Sequence, residues 1–225
     1  MRLKFLPSFV KRRGRITNNQ EENLKSLPDY SISTFDDIDP DPSKFSHCCL
    51  EIGFGNAEHL YFQAINNPEV LFIGSEVYMS GIGTLIGNIQ KEKIINIKIF
   101  PDDIRILLDE NKDKQIFDAV KIICPDPWPK ERHHKRRLIN ADFLKLLHNS
   151  VKAEGNLFIS TDWADYAEGI KETLEKSTYF ESSDDFFLKK ESLTKFEQRG
   201  VDEGREIFEF NFQKKKLEAF FIQSQ

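Results

Sequence analysis

The residues best suited to chemistry crowd into one stretch, 118–137 of a 225-residue chain. There Pro125 and Pro127 flank Asp126, Trp128 stands beside them, and Lys130, Arg132, His133, His134, Lys135, Arg136 and Arg137 follow. A carboxylate, a large aromatic face and a cationic run thus leave one place together. That set suits chemistry on a nucleobase held by its own phosphate backbone. Cationic side chains grip phosphates without regard to sequence, and an aromatic ring takes a base by its face. Singly, each feature has an ordinary reading: Asp between prolines forms turns, a Trp covers core, and a charge run solvates a face. Their joint occurrence favours the nucleic-acid reading.

Four acidic residues, Glu51, Glu76, Asp103 and Asp126, stand at or just after the ends of successive apolar runs, and Gly53 and Gly55 follow the first run. A lone acidic residue in such a place is more often a helix cap or a solvated loop residue. Four in succession, with two glycines that let backbone approach a ligand, point to a pocket. A dinucleotide would need a third glycine, in GxGxxG, to seat its pyrophosphate on a helix N-terminus. Glu58 holds that position, and a carboxylate there opposes a pyrophosphate. S-adenosylmethionine carries a sulfonium and an ammonium and no phosphate, so an acidic pocket suits it. Glu76 would accept the ribose hydroxyls, Asp103 would meet the adenine amino group, and Glu51 would support the methionine end.

The elements that must position these groups follow from periodicity. Cys48–Ile52, Leu71–Gly74, Ile94–Phe100, Ala119–Cys124 and Gly155–Ser160 read as buried strands. Helices are expected from near Asn56, over Ser80–Lys91, around Ile104–Leu108, after an Asn140 cap, and over Ala164–Lys176. This alternation predicts an α/β fold, a doubly wound and mostly parallel sheet with helices on both faces. Right-handed crossovers put the strand ends on one edge, where such sheets bind ligands. Phe208, Phe210 and Phe212 alternate with polar residues, which predicts an antiparallel strand near the C-terminus.

A net charge of −5 excludes a uniformly basic nucleic-acid binder, so binding must come from local patches, Lys11–Arg15 and Lys130–Arg137. Residues 1–46 read as a basic arm, partly disordered, and 47–225 as one domain. Cys48, Cys49 and Cys124 are an odd number without CxxC or other metal-ligand spacing, so no metal is expected and a reducing, cytoplasmic setting is. No apolar run approaches a membrane span.

The same residues resemble a known family. Leu50-Glu-Ile-Gly-Phe-Gly55, Phe72-Ile-Gly-Ser-Glu76, Pro125 to Arg137, Thr161-Asp-Trp163 and Thr194-Lys-Phe-Glu-Gln-Arg-Gly200 resemble, in order, tRNA (guanine-N7)-methyltransferases. Ser8 to Thr17 is similar to that family's N-terminal arm. The likeness covers nearly the whole chain. It implies a Rossmann-like class I methyltransferase fold with a seven-stranded sheet, and methyl transfer from S-adenosylmethionine to N7 of a guanosine in the tRNA variable loop. Carried over by motif, Glu51, Gly53, Gly55, Glu76, Asp103 and Asp126 would bind the cofactor, with Asp126 catalytic. Lys130, Asp162, Thr194, Lys195, Phe196 and Glu197 would hold the guanosine. Arg132, His133, His134, Lys135, Arg136 and Arg137 would contact the RNA backbone. The chain departs from the family pattern at Asn56-Ala57, usually Met-Gly, at Ser75 and Ser80, and at Ile123-Cys124.

Guanine N7 is an exposed lone pair and needs no deprotonation before attack. Catalysis would then be mainly in-line positioning. Asp126 would accept hydrogen bonds from guanine N1 and N2, Trp128 or Trp163 would offer a stacking face, and Glu197 or Asp162 would read the Watson–Crick edge. Two other readings stay open. Pro125-Asp-Pro-Trp128 is near the loop of amino-methyltransferases acting on adenine or protein amides, and the chain would also serve as an idle RNA-binding module.

Overall fold

The computed structural model describes residues 5–10, 15–38, 41, 43–110 and 114–215. Of the basic patch expected at 11–15, residues 11–14 lie outside them. Seven segments of the described residues pair into one sheet: β1 (His47–Ile52), β2 (Val70–Ser75), β3 (Ile97–Phe100), β4 (Phe117–Ile123), β5 (Val151–Thr161), β6 (Phe180–Ser182) and β7 (Phe208–Lys214). Their spatial order is 3-2-1-4-5-7-6, parallel from β3 to β5 and antiparallel through β7 and β6. Strand order therefore reverses between β1 and β4, the place where open α/β sheets leave a crevice. The helices are α1 (Asn18–Leu24), α2 (Leu27–Tyr30), α3 (Glu58–Asn66), α4 (Met79–Glu92), α5 (Ile104–Glu110), α6 (Ala141–Ser150), α7 (Ala164–Glu175) and α8 (Lys195–Asp202).

Side chains alternate between the sheet's two faces, and both are covered, so the central strands read as unbroken apolar runs. Cys48, Leu50 and Ile52 of β1 join Leu107, Leu147 and Ile170 from α5, α6 and α7. Cys49 points the other way, with Leu60 of α3 and Leu85 of α4. Asn140 caps α6 as expected, its Oδ1 accepting the Phe143 N–H at 3.0 Å. β3 starts later than expected, at Ile97, because the Asn96 side chain turns in to donate to the carbonyls of Ala64, Asn67 and Val70. β6 carries too few residues to show a period and had no signal in the sequence.

Residues 15–38, read from sequence as part of an arm, pack on the domain. Gln20 Nε2 donates to Thr84 Oγ1 at 3.0 Å and Asn23 Nδ2 to the Gly83 carbonyl at 2.9 Å. α1 comes so close to α4 that a Cβ on Gly83 would stand 2.8 Å from the Gln20 carbonyl oxygen. Ile32, Phe35 and Ile38 are buried in the main core.

The segment 183–193 packs on one face of β4 and β5. Asn156 Nδ2 donates to the Asp185 carbonyl, and its Oδ1 accepts the Phe187 N–H, both at 3.1 Å. Lys121, inside the apolar run of β4, donates to the Leu188 carbonyl at 2.5 Å. Burial pulls its ammonium down to about 8. Among the described residues no helix is long and apolar enough to cross a membrane.

Candidate active site

The ends of β1 to β5 surround a cavity of about 430 Å³. Six carboxylates line it, Glu76, Asp102, Asp103, Asp126, Asp162 and Glu203, against the two arginines Arg199 and Arg205. Cations are therefore favoured inside. Phe9 from the N-terminal segment and Phe196 from α8 form part of its wall.

The turn after β1 is built from left-handed residues at alternate positions: Gly53 at φ +74°, Gly55 at +55° and Ala57 at +65°. Glycine takes such angles freely. Ala57 pays strain of order 1–2 kcal/mol there, at the place where the resembled family usually has glycine. Glu76 ties this turn to the one after β2. Its Oε2 accepts the Gly55 N–H at 2.7 Å, and its Oε1 accepts those of Val77 at 2.6 Å and Tyr78 at 3.0 Å. Burial raises the Glu76 carboxyl above its ordinary range against the pull of those three donors, and the charge of Asp126 adds slightly.

Glu51 sits deeper. Its Oε2 lies 2.6 Å from His59 Nδ1 of α3, and it does not line the cavity, whereas its neighbours Ile52 and Gly53 do. It braces the turn from below. Asp103 borders the cavity but spends its carboxylate on Arg105. Its Oδ1 accepts from Nε at 2.9 Å and its Oδ2 from Nη2 at 2.5 Å. Its neighbour Asp102 is exposed, with only the Asp103 N–H, at 2.8 Å, recorded on its carboxylate. Sequence reasoning passed over Asp102, since two adjacent acids at a strand end look alike until one of them caps the next helix.

The loop after β4 carries Asp126 to the cavity rim, turning on left-handed Cys124 and Trp128. Trp128 is engaged on several sides. Its Nε1–H donates to the Ser8 carbonyl at 2.8 Å, the Arg136 guanidinium stands 4.7 Å from its ring centroid, and His133 meets it edge-on at 5.7 Å. Trp163 is half-buried against the core and borders the cavity. Arg137 is turned inward, its side chain 10% exposed. It donates to the Pro127 carbonyl at 2.9 Å, pairs with Asp165 and stacks 4.8 Å from the Tyr166 centroid. Lys130, Arg132 and Lys135 face solvent, while His133 and His134 are half-buried. Partial burial, then the charges of Arg132, Arg136 and other nearby cations, hold the His133 imidazole below its usual value.

On the far wall, Asp162 Oδ2 accepts from Arg205 Nε at 2.8 Å. Thr194 and Glu197 form the capping box that starts α8. Glu197 is fully buried. Its Oε1 accepts from Ser160 Oγ at 2.7 Å and Lys190 Nζ at 2.5 Å, and its Oε2 from the Thr194 N–H at 2.8 Å. Burial would raise this carboxyl, but Lys190, the Thr194 N–H and Ser160 outweigh it and hold it below the ordinary range. Lys195 pairs with Glu58 across the gap to α3. Of the block Thr194–Glu197, Phe196 alone borders the cavity, over Gly55.

Residues 46–210 match the model of a family described as putative methyltransferases. A tRNA (guanine-N(7)-)-methyltransferase of Nitrosomonas europaea is 39% identical over 212 residues, which cover 91% of this chain and 95% of that protein. One from Nitrosococcus oceani is 38% identical over 218 residues, 93% of this chain and 91% of its own. The chain belongs to the tRNA (guanine-N(7)-)-methyltransferase family. For this family member, solved structures at low identity bear on the fold alone. A structure described as an antibiotic-related methyltransferase superposes at TM-score 0.54 and 18% identity, over 92% of this chain and 99% of the other. A 16S rRNA (adenine(1408)-N(1))-methyltransferase from Catenulisporales acidiphilia does so at 0.53 and 17%, over 80% and 92%. The expected Rossmann-like class I methyltransferase fold, with its antiparallel strand near the C-terminus, is thus the observed one.

Proposed function

We propose that this family member transfers a methyl group from S-adenosylmethionine to N7 of a guanosine in the variable loop of tRNA, in the cytosol. The observation that carries the reading is the joint placement of an acid-rich cavity and the Asp126 loop, with its cationic segment, on one sheet edge. The donor set fits the cofactor: carboxylates for a sulfonium and an ammonium, and Glu58 rather than glycine where a pyrophosphate would need to sit. When bound, S-adenosylmethionine supplies an electrophilic methyl group.

The chain's own residues divide the work. Glu76 and the turn Gly53–Gly55 form the cofactor cradle, Asp102 or Asp103 takes the adenine amino group, and Glu51 keeps the turn in place through His59. Asp126 stands at the rim, where its carboxylate accepts one of the guanine Watson–Crick donors, N1–H or N2–H, and Asp162 accepts the other. Those donors become more acidic as N7 gains charge, so the contact strengthens toward the transition state. N7 attacks as a lone pair, and no base is required. Asp162 and Phe196 hold the guanosine from the far wall. Thr194 and Glu197 set α8, and Lys130, Arg132 and Lys135 meet phosphates. His133, His134, Arg136 and Arg137 shape the loop that carries them.

The cysteines fit a reducing compartment. All three are free, and burial pushes the Cys49 and Cys124 thiols up to about 12, so neither is a thiolate near neutrality.

Single-turnover methyl transfer to unmodified tRNA tests Asp126. Asp126→Ala is expected to lose at least about 100-fold in rate with S-adenosylmethionine affinity kept within a few-fold, as for loss of a transition-state acceptor. A rate near wild type overturns the catalytic role. Nucleoside analysis showing N6-methyladenosine instead of 7-methylguanosine overturns the substrate.

A further inference from the structure

The far wall holds a charge cluster that neither the acidic strand ends nor the basic segment explains. Arg205, just past α8, donates through Nε to Asp162 Oδ2 at 2.8 Å, pairs through Nη1 with Glu203, and donates its N–H to the Gly200 carbonyl at 2.8 Å. Asp162 and Arg205 both border the cavity. Only Oδ2 of Asp162 is engaged by Arg205; no described residue donates a hydrogen bond to Oδ1. Gly200 closes on the same carboxylate from α8. A Cβ there would stand 2.7 Å from Oδ2 and 3.0 Å from the Asp162 Cβ, so nothing larger than glycine fits unless Asp162 moves.

We propose that Arg205 is a positioning residue for guanine recognition, holding Asp162 by Oδ2 so that Oδ1 is presented to the Watson–Crick donor of the base that Asp126 leaves. This rests on the reading that Asp162 holds the guanosine. Without a partner, Asp162 would share its cavity with five other carboxylates and swing away from them toward water. The planar guanidinium prevents this by engaging Asp162 and Glu203 at once from two of its edges, which an ammonium on a flexible stem does less well. The chemistry also selects the base. Guanine offers N1–H and N2–H to a carboxylate, whereas adenine N1 is an acceptor and is repelled. A displaced recognition group costs rate steeply, about 100-fold for an ångström.

The test uses the full chain and unmodified tRNA, with steady-state kinetics, calorimetric binding of S-adenosylmethionine and a melting curve for each variant. Arg205→Ala is expected to lower kcat/KM for tRNA ten- to 100-fold, with cofactor Kd within twofold of wild type. Arg205→Gln keeps an N–H donor at the same distance along the side chain and is expected to recover at least threefold of that loss. Gly200→Ala should reproduce the defect by displacing Asp162, with its melting curve showing that the chain still folds. The proposal is overturned by tRNA kinetics within twofold of wild type in Arg205→Ala. It is equally overturned if cofactor affinity falls in step with tRNA kinetics, which marks general structural support. Asp162→Asn separates the two levels. If Asp162→Asn is impaired while Arg205→Ala is not, the proposal alone fails; if Asp162→Asn is intact, the reading beneath it fails too.

Discussion

Glu76 shows how one side chain can be both scaffold and sensor. Three backbone N–H groups favour its ionised form, yet burial outweighs them and raises its carboxyl above the usual 4.5. A cationic ligand prefers the carboxylate, so binding must release a proton wherever the free protein holds Glu76 protonated. The sign follows: the folded value is raised, so S-adenosylmethionine affinity should fall as pH drops through that raised value. Calorimetry across mildly acidic pH should show the weakening, with proton release on binding. Glu76→Gln should bind more weakly and lose the pH dependence. An affinity flat with pH in the wild type would refute the assignment.

Among elements, β4 combines two contrary demands. Its sequence is that of a buried strand, yet it carries Lys121, 2% exposed, whose only recorded hydrogen bond goes to the Leu188 carbonyl of the covering segment. The folded value is lowered from 10.5 to about 8, so between those pH values the unfolded chain binds the extra proton and the folded state gains stability as pH rises. Urea melts of wild type and Lys121→Met should therefore diverge in that window. The wild type should gain up to about 3 kcal/mol relative to the variant from pH 8 to 10.5, an upper bound set by the shift itself. Parallel curves would mean that Lys121 is solvated. α8 meets a similar demand through the buried pair Lys190–Glu197, with side chains 5% and 0% exposed. Pairing and three further hydrogen bonds make that burial tolerable.

The whole molecule is a net anion of −5 that binds a polyanion, so its poles must be separated. The acids gather inside the strand-end cavity, while Lys130, Arg132 and Lys135 stand exposed beside it. Replacing Arg132 and Lys135 together by Ala should weaken tRNA binding and flatten the plot of log Kd against log salt by about 1.5, from roughly 0.7–0.9 per phosphate contact. Cofactor binding should be unaffected. Arg137→Ala should behave differently, destabilising the Asp126 loop with little effect on the salt slope, because its guanidinium is spent on Pro127, Asp165 and Tyr166. Filter binding from low to moderate salt distinguishes the two.

The sequence by itself determined what depends on near neighbours along the chain. Alternation of apolar runs and helical spacing implied the doubly wound sheet. Asn140 announced a cap, prolines around Asp126 announced a strand end, and the order of acidic residues announced an acid-lined cleft. Each of these is set by backbone preference or by period. Tertiary structure alone decided which charges remain available for ligands. Arg137 meets Asp165 across 28 positions and Trp128 meets Ser8 across 120. Glu197 is consumed by Ser160 and Lys190, and Asp103 rather than Asp102 turns to Arg105. A charged side chain reads the same in sequence whether it faces a phosphate or a buried partner. The difference is the energy of desolvation, and that exists only once distant segments have packed.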